Sequence, residues 1–246
     1  VKKELKRQIK QDELVSGYEH ATHWVAARRD EVRITVLVAA VLGLGYLGLR
    51  YYQEHRAQDA EKAYGEALTL YQAPVASEIP EGTPPPPGPV AATAAEKYQK
   101  AAAAFQGVAN RYGSTDAGKR ARYFEAICRL ELGDYAEAEK TLQEIASQGD
   151  ARALEPNLAR LALAEGHRRQ AKLDEALEEY KRMVDSPSAE LPRDHSLMRL
   201  ASTFEEARRL PEAGAAYRRL VEEFPSSPYA PEARRRADYL EAGRRG

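Results

Sequence analysis

Leu132–Ile145 reads LGDYAEAEKTLQEI, and the spacing inside it decides the fold. Ala138 has Tyr135 three residues before it, Leu142 four after and Ile145 seven after. On a helix of 3.6 residues per turn these offsets share one face. A small residue at the centre of that face lets a neighbouring helix come close. The same frame recurs around Ala101 (Tyr98, Phe105, Val108), Ala176 (Leu173, Tyr180, Met183) and Ala213 (Leu210, Tyr217, Leu220). Successive alanines are 37, 38 and 37 residues apart, a period that marks stacked copies of one supersecondary unit.

A second alanine stands twelve residues before three of the four: Ala126, Ala164 and Ala201. Each lies in its own apolar-periodic segment, YFEAICRLEL, LARLALAEGH and LMRLASTFEEA. Gly133-Asp134, the polar run RRQAK and Leu210-Pro211 separate the two segments of each unit. The units therefore read helix, tight turn, helix, with Pro187 and Pro225 punctuating the ends of two of them. LGDYAEAEKTL and LPEAGAAYRRLVEEFP resemble the tetratricopeptide repeat family. That family pairs a small residue in its first helix with G-x-Y-x-x-A-x-x-x-F/Y and a late proline. Ala171 departs from it, standing where glycine is usual. The resemblance implies an all-α, right-handed helical solenoid over residues 94–246, of about three and a half repeats. SPYAPEARRRADYLEAG reads as its C-terminal capping helix, with Arg234, Arg235 and Arg236 on a solvated face.

Upstream lies RITVLVAAVLGLGYLGLRYY, Arg33–Tyr52. Ile34–Leu49 carries no charge and as a helix spans about 24 Å, against about 30 Å for a hydrocarbon core. Arg33 and Arg50 can snorkel, and Tyr51-Tyr52 suits an interface, so the flanks supply the difference. A cleaved signal fits poorly, because the preceding 33 residues hold six acids and no small-x-small site follows. A buried soluble helix would need an equally apolar partner layer, and the remaining helices are only amphipathic. The reading is thus a basic, amphipathic tail over 1–33 and one transmembrane helix over 34–50. Residues 1–33 hold eight Lys/Arg and residues 50–72 hold three, which leans toward a cytoplasmic N-terminus.

Residues 51–72 read as a juxtamembrane helix. AEKAYGEALTLY repeats the alanine frame at Ala67, with Tyr64 and Tyr71, 34 residues before Ala101. Residues 73–93 form a Pro-rich linker that holds seven of the 14 prolines, read as a spacer free of helix and sheet, with a stiff stretch at Pro84–Pro87. Pro89 falls where the Ala101 unit needs its first-helix alanine, so the 51–72 helix is expected to fold back and fill that role.

The composition argues against several functions. Lys and Arg number 37 against 38 Asp and Glu, without the basic footprint of a nucleic-acid binder. One cysteine, Cys128, excludes an intramolecular disulfide and any multi-thiolate zinc site, and its apolar helical setting reads as packing. His20 and His23 are three apart beside Glu19, a spacing open to a metal enzyme, but the segment reads better as an amphipathic approach to the membrane. No catalytic constellation, cofactor site or small-molecule substrate is expected.

The whole plan resembles bacterial single-pass membrane tetratricopeptide-repeat proteins related to the ancillary subunit of the Sec translocon. The resemblance is closest over WVAARRDEVRITVLVAAVLGLGYLGLRYYQEHRAQDAEKA, with Trp24, Arg28-Arg29, the glycine-bearing anchor, Arg50-Tyr51-Tyr52 and His55. It implies a bacterial inner-membrane protein, N-terminus cytoplasmic and repeat domain periplasmic, acting as a non-enzymatic scaffold or chaperone. Its partners would be other proteins: translocon subunits, envelope chaperones or nascent secreted chains. In the repeat family the contacts come from the concave face of the first helices. Carried onto this chain they are Arg120, Tyr123, Glu165, Arg168, His195, Met198, Ser202 and Glu205. FPSSPYAPEARRRA also resembles repeats of outer-membrane assembly and division proteins, which makes an envelope-assembly adaptor the alternative.

Overall fold

The computed structural model describes residues 28–80, 82–84, 87–148, 150, 152–186 and 191–245. The chain forms two units, one ending at Arg56 and one beginning at Ala57, and α1 (Arg29–Tyr71) supplies residues to both. His20, His23, Trp24 and Pro187 lie outside the described residues.

In the first unit the large apolar side chains from Ile34 to Leu49 are 53–70% exposed. An 18-residue window of α1 has a mean hydropathy of 2.0 with nothing buried, and by length and composition it could cross a membrane. At its polar end Tyr51 meets His55 edge-on at 4.2 Å, and Arg56 Nη1 donates to the Tyr52 hydroxyl at 2.9 Å.

The second unit is a helical solenoid of the tetratricopeptide-repeat kind. After α1 come α2 (Ala94–Tyr112), α3 (Asp116–Leu132), α4 (Tyr135–Ser147), α5 (Leu154–Arg169), α6 (Leu173–Asp185), α7 (Arg193–Glu206), α8 (Leu210–Glu223) and α9 (Ala230–Arg245). The alanines of the repeat frame are fully buried, Ala126 and Ala138 in one cluster and Ala164, Ala176, Ala201 and Ala213 in another. Ala67 of α1 is 1% exposed and packs in one cluster with Ala60, Tyr64, Ala101 and Phe105. The Ala57–Tyr71 part of α1 is thus the first helix of the first pair, completing what the sequence shows as a half repeat. Four pairs and the final helix α9 make up the stack.

Between α1 and α2 the Pro-rich stretch is not wholly irregular, contrary to the expectation from sequence. Ala76–Glu78 makes one 3-10 turn, and Val75 bridges Ala91 in parallel. Ala91 N–H donates to Pro74 O at 3.0 Å and Ala76 N–H to Ala91 O at 2.8 Å. The prolines on either side leave the Val75–Ile79 amides free to donate, which is what the turn and bridge need. The segment is therefore a loop closed at its base, with Val75 and Ala91 buried there. Of the expected polyproline stretch, Pro85 and Pro86 lie outside the described residues.

Helix ends are set locally. Thr93 and Thr115 cap α2 and α3, accepting from the Glu96 and Gly118 amides at 3.1 Å. A Cβ on Gly118 would lie 2.0 Å from the Tyr112 carbonyl oxygen, so the α2–α3 corner admits glycine alone. Arginines of the next pair close two helix C-termini: Arg160 donates to Ala146 O and Arg193 to Val184 O, both at 3.0 Å.

The turn inside each later pair has one repeated geometry. Asp134, Lys172 and Arg209 each donate an amide to the carbonyl five residues earlier, at 2.8–2.9 Å. That bond requires a left-handed residue just before the donor. The position is held by Gly133 (φ 82°), Ala171 (φ 58°) and Arg208 (φ 60°). A side chain in this region costs about 1–2 kcal/mol. Ala171→Gly and Arg208→Gly are therefore each expected to stabilise the stack by about 1 kcal/mol, and Gly133→Ala to destabilise it similarly, as read by urea unfolding.

Candidate partner-binding face

The first helix of each pair, together with α9, is tied to the next by ion pairs. Arg120 of α3 pairs with Glu61 of α1, its guanidinium 4.7 Å from the Tyr64 ring centre. Arg169 of α5 reaches back to Glu131 of α3 at 2.9 Å, and its neighbour Arg168 reaches forward to Glu206 of α7, also at 2.9 Å. Arg199 of α7 donates to Glu165 of α5 at 2.5 Å. Arg236 of α9 holds Glu205 of α7, its Nε 3.1 Å from Oε2. The wall of α1, α3, α5, α7 and α9 is thus laced from end to end.

Two of these pairs follow the repeat period. Opposite charges 38 residues apart, as in Glu131–Arg169 and Arg168–Glu206, fall on equivalent turns of adjacent first helices. Glu165 collects three donors: Arg168 Nη1 at 3.1 Å, Arg199 and the Tyr180 hydroxyl at 3.3 Å. Burial alone would raise the Glu165 carboxyl, but Arg199 and Arg168 outweigh it and hold it below its ordinary 4.5.

A carboxyl lowered by folding adds stability above its unfolded value and loses it as pH falls through its folded one. Between about pH 5 and about pH 3, unfolding midpoints should therefore fall less steeply for Glu165→Gln than for the parent chain. At neutral pH the order reverses, with the parent more stable. Urea titrations at several pH values give both slopes.

The residues assigned to the face from sequence lie along α3, α5 and α7, without converging on a single point. Arg120, Glu165, Arg168 and Glu205 are members of the ionic ladder, so their charges are already met within the wall. Tyr123 packs against the cluster of Ala126, Leu130 and Ala159, and burial pushes its hydroxyl up to about 12. Met198 is half-buried against the α5–α9 core, and the Ser202 hydroxyl donates to Arg199 O at 3.0 Å. His195 lies 5.9 Å from the Tyr229 ring, and burial, then Arg199, lowers its pKa. At neutral pH it is therefore uncharged.

Glu61, Glu131, Arg169, Arg199 and Glu206 belong to the same wall and were not singled out by the sequence. For Glu131, Arg169 and Glu206 the signal was available as opposite charges 38 residues apart. Arg236 is 42% exposed and also engaged by Glu205, while Arg234 and Arg235 beside it are exposed.

Cys128 is fully buried, and burial, aided by Glu131 and Glu125, pushes its thiol up to about 12. It is a packing residue on the inner side of α3. Among the described residues no group of three or more His, Cys, Asp or Glu could hold a metal.

Paired helices stacked so that their first members share one face define a repeat scaffold of the protein-binding class. Residues 30–194 match the tetratricopeptide repeat-like domain family, and residues 195–227 match the tetratricopeptide repeat. The chain belongs to the tetratricopeptide repeat-like domain family. Two crystal structures of the nearly identical TPR-like repeats of a Podosopora anserina kinesin light chain are similar in fold. The first is 15% identical with a TM-score of 0.50, covering 58% of this chain and 77% of that one. The second, a substituted form of the same repeats, is 13% identical with a TM-score of 0.55, covering 76% and 86%. At such identities the likeness speaks for the fold alone. No curated protein matches the chain.

Proposed function

We propose that this chain is a membrane-anchored repeat scaffold that receives other polypeptides on the wall of α1, α3, α5 and α7. The observation that carries the anchoring is the uncovered apolar surface of Ile34–Leu49, flanked by Arg33 on one side and by Arg50, Tyr51 and Tyr52 on the other. Left in water, sixteen such residues are a strong drive to aggregate; in lipid they are at home. The excess of Lys and Arg before this helix supports a cytoplasmic N-terminus, with the repeats on the other side, in the periplasm of a bacterial cell.

The proposed role is that of a non-enzymatic accessory to protein export, associated with translocon subunits, envelope chaperones or the emerging chains themselves. It rests on the resemblance of the anchor and repeat plan to that group of single-pass proteins. Protease added to spheroplasts is expected to remove the repeat unit and leave a membrane-embedded N-terminal fragment. A repeat unit that survives protease until the membrane is lysed contradicts the periplasmic placement. Crosslinking in intact cells is expected to recover translocon subunits; exclusive recovery of wall-assembly or outer-membrane factors contradicts the export role and supports the adaptor reading.

A further inference from the structure

From the ionic ladder we infer that the occupant of the wall is an extended, uncharged peptide segment carrying bulky apolar side chains, and not an acidic or basic tail. The inference rests on the reading that the first helices receive a partner, and it specifies that partner's chemistry.

Charge complementarity separates the two kinds of ligand. A wall that reads a charged tail holds out unpaired counter-charges, as arginine clusters do for acidic motifs. Here the arginines of the wall at positions 120, 168, 169, 199 and 236 all have carboxylate partners within it. The carboxylates at 61, 131, 165, 205 and 206 are those partners. Five cations meet five anions, so the ladder itself carries no net charge for a tail to answer. A charged ligand would have to break a pair and leave its other half unmet, which is costly where both are partly desolvated.

The same helices also carry apolar side chains. Leu158 occupies on α5 the frame position that Arg120 holds on α3 and His195 on α7, six residues before the packing alanine. Leu161, Met198, Tyr123 and Ile127, at neighbouring frame positions on α3, α5 and α7, are half-buried, each with part of its surface still open to solvent. Covering such surface gives about 25 cal/mol for each Å² of apolar area removed from water, with no ion pair disturbed. The ladder and the apolar strip have complementary effects: the first rejects charge and the second rewards its absence.

The test uses the full-length chain in lipid nanodiscs and two labelled peptides, read by fluorescence anisotropy. One is a blocked decapeptide alternating Leu or Tyr with Ser. The other is an acidic peptide ending in a free carboxylate. The neutral peptide is expected to bind at least about tenfold more tightly, and its affinity should change less than about twofold between about 0.05 M and about 0.5 M salt. Leu158→Gln and Met198→Gln should each weaken it several-fold while circular dichroism shows the stack still folded at the binding temperature.

Glu131→Gln frees Arg169 and Glu206→Gln relieves Arg168 while preserving shape. Together they should raise binding of the acidic peptide and make it salt-sensitive. Tighter binding of the acidic peptide by the parent chain, weakened by Leu158→Gln, overturns the inference and leaves the wall as the binding face. Binding of the neutral peptide indifferent to Leu158→Gln and Met198→Gln overturns the wall reading itself. Failure of both peptides to bind, or self-association that buries these residues, overturns the inference as well.

Discussion

Tyr180→Ala is expected to lower the stability of the repeat stack by about 3–5 kcal/mol. The Tyr180 side chain is fully buried and packs in the cluster that joins α5, α6, α7, α8 and α9. Its removal leaves a cavity in the middle of a quasi-one-dimensional array, where each unit is held only by its neighbours. Its hydroxyl also donates to Glu165, so the substitution loosens the most heavily bonded point of the ladder. Urea unfolding followed by circular dichroism should show an earlier midpoint and a split transition, the α2–α4 half separating from the α7–α9 half. Tyr180→Phe removes only the hydrogen bond and should cost about 1 kcal/mol. Equal effects from the two substitutions would show that the ring is not what holds the pairs together.

Ala67→Asp should cost about 3 kcal/mol or more, because it buries a carboxylate in an apolar cluster. Ala67 is 1% exposed among Tyr64, Ala101 and Phe105. The aromatic rings there form a continuous group: Phe105 stacks with Phe124 at 5.4 Å, and Tyr71 meets Phe124 edge-on at 5.4 Å. If α1 supplies the first helix of the first pair, disturbing this seam lowers the melting of the whole stack. Glu66→Gln, one residue away on the exposed side, should change stability by less than about 0.5 kcal/mol. Thermal melts of the three chains decide it, and an Ala67→Asp chain that melts like the parent would detach α1 from the repeats.

The repeat architecture was open to reading because four alanines share one frame, and each frame carries its own large apolar residues at the same offsets. The second frame, twelve residues earlier, fell on the buried faces of α3, α5 and α7. The role of α1 was legible through Ala67 and through Pro89, whose ring rules out a helix where one was needed. The closed base of the 73–93 loop was not, because Val75 and Ala91 have no pattern that distinguishes them from other small residues among prolines. Arg208 was missed for a related reason. Its left-handed conformation is imposed by the turn and not announced by a glycine, although its spacing from Gly133 and Ala171 matches the repeat.

The binding face was read least completely. Frame positions picked out helices of the wall, but a side chain's position says nothing about whether its charge is already met. Arg120 looks available in the sequence, and the neighbouring first helix supplies Glu61 to meet it. What a solenoid offers to a partner is settled between units, a level at which a single repeat's sequence is silent.

The claim that partners are received on the first-helix wall is tested most directly by a photo-crosslinking amino acid placed in the full-length protein in living cells. Placed at Met198 on α7 it is expected to capture partner polypeptides on illumination, while the same group at Glu175, on the exposed side of α6, captures none. Adducts that form from Glu175 and not from Met198 would contradict it.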